Sequence, residues 1–322
     1  MAVTQDQLRE ISQAYEKQIA QSFPGLLDHL PVASYVSQLE QRNPLLQYEQ
    51  FPPSLLGNLL QMRARHGQNA VALFHKLGLC RLMANALESL EGDTLPETIR
   101  QHYRSWFERI VEDFDAQPET YYDLDRPLWP LRKDLGVSSR RSIPIGGAWV
   151  IETRSLAKGA MIRQAQAKST TRFRSTFLRR FSRKDTCYVI HTVERNIREF
   201  NAEQMDLAYC NIARLLQRND SVWGVFRSSW FLDPTLGEIS PKMAFLSETP
   251  ANHGAELYDG GPCSEDDIRK ATSMSPERSH LYETGAYVPR NYFYFWPREA
   301  VIRAFGANQP ALQAQNDISD SG

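Results

Sequence analysis

The stretch Thr186–Phe231, TCYVIHTVERNIREFNAEQMDLAYCNIARLLQRNDSVWGVFRSSWF, decides how the chain is read. Thr186–Val193 (TCYVIHTV) is rich in apolar and β-branched residues and reads as a strand. Asn201 stands where a helix needs its N-cap. From Ala202 to Arg218, Met205, Leu207, Ala208, Ile212, Leu215 and Leu216 recur at helical spacing and supply one buried side. Asn219-Asp220 ends that helix, and Val222–Phe231 is a second apolar strand that stops at Asp233-Pro234.

Downstream, Lys242–Ser247 (KMAFLS) reads as a further strand. Ser264-Glu265-Asp266-Asp267 is an acidic helix start before Ile268, suited to the positive end of the helix dipole. Tyr292–Trp296 (YFYFW) is an aromatic strand, and Pro297 opens a short helix to Phe305 at the first helical position, which proline favours. The tail NQPALQAQNDISDSG has little to bury and is expected to be disordered.

Upstream the period changes. Ile143–Thr153 (IPIGGAWVIET) reads as a strand with Gly146-Gly147 near its start, and residues 172–182 as a strand or a basic helix. No strand-like alternation precedes residue 140. Residues 4–22 predict a helix capped by Thr4, with Leu8, Ile11, Tyr15 and Ile19 on one stripe, stopped by Pro24-Gly25. Residues 54–66 and 68–90 are helical again, the second burying Val71, Phe74, Leu77, Leu82, Leu87 and Leu90. Leu95-Pro96-Glu97 opens a helix whose core residues are Ile99, Tyr103, Phe107, Ile110 and Phe114. Gln117–Arg141, with Pro118, Pro127 and Pro130, reads as a long irregular connection, too apolar for a loose linker. The expected fold is α+β: a helical region over residues 1–120, a mixed β-sheet domain with flanking helices over 121–306, and a disordered tail over 307–322.

The 322 residues are 42 % apolar, 23 % charged and 11 % aromatic, which excludes collagen, low-complexity disorder and coiled-coil rods. No run approaches the roughly 18 uninterrupted apolar residues of a membrane span. The polar N-terminus has no apolar core of a secretory signal. Cys80, Cys187, Cys210 and Cys263 are far apart and form no CxxC pair, which argues against a zinc site, a thioredoxin motif or a disulfide scaffold. A soluble, reduced, cytoplasmic protein is expected. The net charge of −1 hides an asymmetry. Between Arg154 and Lys184 there are ten basic residues and no acid, leaving 27 basic against 38 acidic residues elsewhere. Such a segment either serves an anionic partner, with nucleic acid or a membrane surface as the candidates, or is solvated and paired with the chain's own acids.

Several residues carry candidate chemistry. The turn after the first strand holds His191, Thr192, Arg195, Asn196 and Arg198, and Asn201 opens the helix. Donors of this kind at a helix start suit a phosphate or carboxylate. The turn has no glycine, so backbone would approach a ligand less closely than in a phosphate loop. Its other reading is a solvated surface turn. Ser228, Ser229, Trp230 and Asp233 end the second strand. They either face a pocket or cap turns and fill core. No GxSxG elbow surrounds the serines, which excludes the common hydrolase nucleophile. The seven histidines form no HxH, HxxxH or HxD pattern, so no metal site is expected. His191 and His253, the latter beside Asn252, are candidate general bases or ordinary structural histidines. Tyr282, before the Gly285 turn, is a candidate general acid or a packing residue.

Two resemblances follow from these residues. The block SSWFLDPTLGEISPKMAFL, with HTVERNIREFN upstream, resembles a family of bacterial proteins of no assigned activity. The order of strand, helix, strand, then Leu281-Tyr282-Glu283-Thr284-Gly285 before a last strand, is similar to the GNAT acyltransferase fold over residues 140–305. The family's glycine-containing pyrophosphate loop is replaced by Glu194–Asn201. The resemblance implies an acyl-CoA cofactor with its pyrophosphate near Arg195–Asn201 and a small-molecule amine as acceptor. It implies a base at His191 or Asp233 and Tyr282 protonating the leaving thiolate. The rival expectation is a non-catalytic binding protein that contacts nucleic acid through residues 154–184.

Overall fold

The computed structural model describes residues 3–41, 50–114, 116, 119–124, 130–155 and 186–306. It is α+β, with helices and a mixed sheet. The contacts group the chain into two compact units: residues 1–154 with 191–199, and residues 155–190 with 200–322. Residues 121–154, assigned by the sequence to the second region, are grouped with the N-terminal helices.

In the first unit, α1 (Gln5–Ser22) begins at Thr4. The Thr4 hydroxyl accepts from the Gln7 amide while the Gln7 side chain accepts from the Thr4 amide, satisfying two backbone donors a helix start leaves open. Short α2 (Leu26–His29) and α3 (Val32–Glu40) follow. The long α4 (Pro53–Glu91) is two helices joined at Gly67, whose φ of 83° and ψ of 175° only glycine adopts without strain. The segments either side of Gly67 match the two helices read from the sequence. Val71, Phe74, Leu77, Leu82, Leu87 and Leu90 are all buried, and α1 and α3 pack on α4. By length and composition α4 would span a membrane, yet most of that stretch is buried within the unit, as in a core helix.

α5 (Glu97–Glu112) buries Ile99, Tyr103, Phe107 and Ile110 as expected. The connection after it is less irregular than its prolines suggest. It contains a 3₁₀ turn (Glu119–Tyr122) and α6 (Pro130–Ser138). Asp134 of α6 is buried and accepts from Trp106 Nε1 at 2.9 Å and from the Tyr121 hydroxyl. A strand pair then closes the unit. The single strand expected over residues 143–153 is a hairpin, β1 (Ser142–Gly146) antiparallel to β2 (Trp149–Ser155). Gly147 and Ala148 make its turn, and Gly146 and Gly147 enter it with φ of 99° and 56°. A side chain at Gly146 would also meet the His102 ring at 2.8 Å.

In the second unit, β3 (Thr186–Thr192, whose last two residues are grouped with the first unit) pairs in parallel with β4 (Val222–Ser229). The crossover is α7 (Ala202–Arg218), capped by the Asn201 side chain accepting from the Gln204 amide at 2.9 Å. This agrees with the sequence. Lys242–Ser247 does not. It forms a 3₁₀ turn (Pro241–Met243) and the start of a helix, because a short apolar run carries no period that separates strand from helix. The helices here are α8 (Leu236–Ile239) and α9 (Phe245–Asn252). β5 (Glu256–Pro262), α10 (Glu265–Ser273), α11 (Pro276–Glu283), β6 (Arg290–Pro297) and α12 (Arg298–Phe305) complete the unit. Pro297 sits at the cap of α12, one residue before the position expected. β6 pairs antiparallel with both β4 and β5, giving the order β3-β4-β6-β5. Tyr209 of α7 meets Trp296 of β6 and Phe305 of α12 at 5.0 and 5.3 Å between ring centres, which ties helix to sheet. The basic segment lies outside the described residues from 156 to 185, as does the tail from 307.

Candidate functional site

Glu152 of β2 and His191 of β3 form a polar pair. β2 is an apolar strand with four buried residues in succession, Trp149 to Glu152. That run leaves one acid, Glu152, in the strand's buried interior, 3 % exposed. His191 is one residue from the end of β3. Its Nε2 lies 3.0 Å from Glu152 Oε1, and its side chain keeps a quarter of its surface exposed. Arg154 stands 3.8 Å from the same carboxylate oxygen. Arg141 interacts with Glu152 electrostatically, and burial lowers its pKa to about 10. A half-exposed imidazole held by a buried carboxylate can accept and return a proton.

The turn after β3 is a 3₁₀ helix (Glu194–Glu199). Asn196, expected to hold an anion, is buried and engaged. Its Oδ1 accepts from Arg109 Nη1 at 2.5 Å and its Nδ2 donates to the Gly147 carbonyl at 3.0 Å. The Thr192 carbonyl accepts from Lys133 Nζ at 2.8 Å. Arg195 lies in the same turn, and Arg198 is exposed. Asn201 spends its side-chain oxygen on the helix cap. The first unit therefore secures this turn from α5, α6 and the β1–β2 hairpin, within which Arg109, Lys133 and Gly147 are spread over 39 residues of sequence.

The remaining candidates belong to the second unit. Asp233 is buried, and Oδ1 accepts from both the Thr235 amide (3.0 Å) and hydroxyl (2.8 Å), the capping arrangement that competes with a pocket role. Ser228 is exposed and donates to Asn291 Oδ1 at 3.3 Å. Ser229 precedes a 3₁₀ turn (Trp230–Leu232). Trp230 faces the Arg278 guanidinium at 5.4 Å. His253 is exposed, with Nδ1 2.9 Å from the Thr249 carbonyl, and its own carbonyl accepts from Trp296 Nε1. Asn252 is exposed beside it. Ser228 and Ser229 stand opposite Phe293 and Tyr292, whereas His253 meets Trp296, so the two groups lie toward opposite ends of β6. The structure does not gather them into one pocket. Tyr282 is 39 % exposed on α11.

Two residues escaped the sequence reading. Glu152 is a lone acid inside an apolar strand, a legible signal, but its partner is 39 positions away. Tyr287 is 4 % exposed, and its hydroxyl has no hydrogen-bond partner among the described residues. Burial, then the nearby Asp233 and Cys263, push its pKa up. Burial with Asp267 and Asp233 pushes the Cys263 thiol up to about 12, so it stays protonated and is a poor nucleophile.

No family model matches the chain, and no curated protein matches it. Among solved structures, the crystal structure of an acyltransferase mutant in complex with octanoyl-CoA is similar to it with a TM-score of 0.45 and 13 % identity, over 92 % of this chain and 90 % of that one.

Proposed function

We propose that the chain transfers an acyl group from an acyl-CoA to an amine, in the manner of the GNAT acyltransferases its sequence resembles. The observation that carries this reading is the β3–α7–β4 crossover: two parallel strands joined by a capped helix, with β6 lying between β4 and β5. The resemblance rests on that order of strand, helix and strand. His191 follows the last registered β3–β4 pair, Val189↔Phe226, by two residues on β3.

In this reading the amine gives a proton to His191 and its nitrogen attacks the thioester carbonyl. The C–N bond forms, the C–S bond breaks, and the departing thiolate takes up a proton, so the products are an amide and free CoA thiol. Direct transfer relies on orientation and needs no covalent enzyme intermediate, in keeping with a sequence that has no nucleophile elbow. Arg198, in the turn after β3, is assigned to the cofactor's pyrophosphate. Tyr282 is assigned to the leaving thiolate.

Calorimetry and thermal-shift measurements with acetyl-CoA and longer acyl-CoAs test the reading, followed by thiol release with a panel of primary amines. Saturable binding and amine-dependent thiol release are expected. No heat and no thermal shift with any acyl-CoA overturns it.

A further inference from the structure

We infer that Glu152 is the positioning residue for His191: it fixes the imidazole as the Nε2–H tautomer, so that Nδ1 is the nitrogen that takes the amine's proton. The inference rests on the acyltransferase reading for the identity of that proton, but its geometric half stands alone.

An ionised carboxylate only accepts hydrogen bonds. With Glu152 Oε1 3.0 Å from Nε2, that nitrogen must carry the hydrogen. In a neutral imidazole the lone pair then belongs to Nδ1. Arg154 lies 3.8 Å from the same oxygen, and Arg141 interacts with the carboxylate electrostatically. When the ring accepts a proton at Nδ1, the positive charge forms beside an anion already in place. The carboxylate is 3 % exposed, so little water competes for it. Its position on β2, inside the run of four buried residues, restrains it from following the ring. After transfer, the same geometry returns the ring to its starting tautomer when Nδ1 gives its proton to solvent.

The test uses the full chain labelled with ¹⁵N at histidine, with the His191 signals identified by their loss in His191→Gln. Nitrogen chemical shifts at neutral pH report the tautomer without any turnover. An Nε2–H ring supports the inference, and an Nδ1–H ring overturns it. Glu152→Gln keeps the size of the side chain and removes its charge. It is expected to lower kcat by about a hundredfold or more, within the range a positioned acid or base contributes, while KM for acyl-CoA stays within about twofold. An unchanged kcat overturns the inference, as does a loss confined to KM. Should Glu152→Gln fail to fold, Glu152→Asp carries the same comparison, since it withdraws the charge by one methylene. If no acyl-CoA and no amine gives turnover, the acyltransferase reading falls, and the tautomer still decides the role of Glu152.

Discussion

The Tyr35 hydroxyl lies 2.8 Å from Nδ1 of His75, and both rings are sealed in the core of the first unit. Phe51 and Tyr122 stack on the imidazole at 6.0 and 6.4 Å between ring centres. Among the described residues, nothing within hydrogen-bond reach compensates a proton at Nε2. Burial therefore lowers the His75 pKa from 6.5 to about 3.

The consequence for stability has a definite sign. In the unfolded chain His75 binds a proton below about pH 6.5, whereas in the folded chain it resists until about pH 3. The stabilisation from keeping it neutral is complete above pH 6.5 and is lost as the pH falls toward 3. Between pH 7 and 5 this group alone is expected to cost about 2 kcal/mol. Denaturant unfolding at both pH values checks it. His75→Asn, which retains an acceptor for Tyr35, should give a flatter dependence, and an equally steep one would remove His75 as the cause.

The same tyrosine explains Gly78. A methyl group there would lie 2.4 Å from Tyr35 Cε1, closer than any real contact. Gly78→Ala must push α3 off α4, and overpacking of this kind costs about 1–3 kcal/mol. The denaturation midpoint should fall accordingly, and a midpoint at or above the wild-type value would contradict this packing.

Arg278 anchors the second unit from α11. It is 7 % exposed, donates from Nε to the Ala271 carbonyl at 2.6 Å and from Nη1 to Ser240 Oγ at 3.0 Å, and lies against Trp230. Lysine lacks the planar fork that serves these partners together. Arg278→Lys is thus expected to cost about 2 kcal/mol, read by thermal or denaturant unfolding, with quenched or shifted tryptophan fluorescence as a second signal.

Tyr282 gives a test of the acid's role that stability does not confuse. Its side chain is 39 % exposed, so Tyr282→Phe should leave the melting temperature within about one degree of wild type. Under the proposed mechanism kcat falls by about a hundredfold with KM for acyl-CoA unchanged. Undiminished turnover would assign the thiolate's proton to another donor, and the buried Tyr287 would be the next hydroxyl to replace.

What the sequence determined by itself is local. Thr4 and Asn201 were legible as caps because a helix start exposes amides that only a nearby side chain can satisfy. The helices of the first unit and the β3–α7–β4 succession were legible because burial on one face imposes a period on neighbouring residues. Even locally, Lys242–Ser247 misled, since six residues are too few to show a period, and Gly146-Gly147 marked a hairpin turn inside what looked like one strand. The tertiary structure alone decided which polar groups meet. Asn196 looked like an anion donor until Arg109 and Gly147, 87 and 49 positions away, claimed its side chain. Glu152 and His191 are likewise joined only by the fold. Hydrogen bonds act over about 3 Å in space and are indifferent to separation along the chain, so no pattern in neighbouring residues records them.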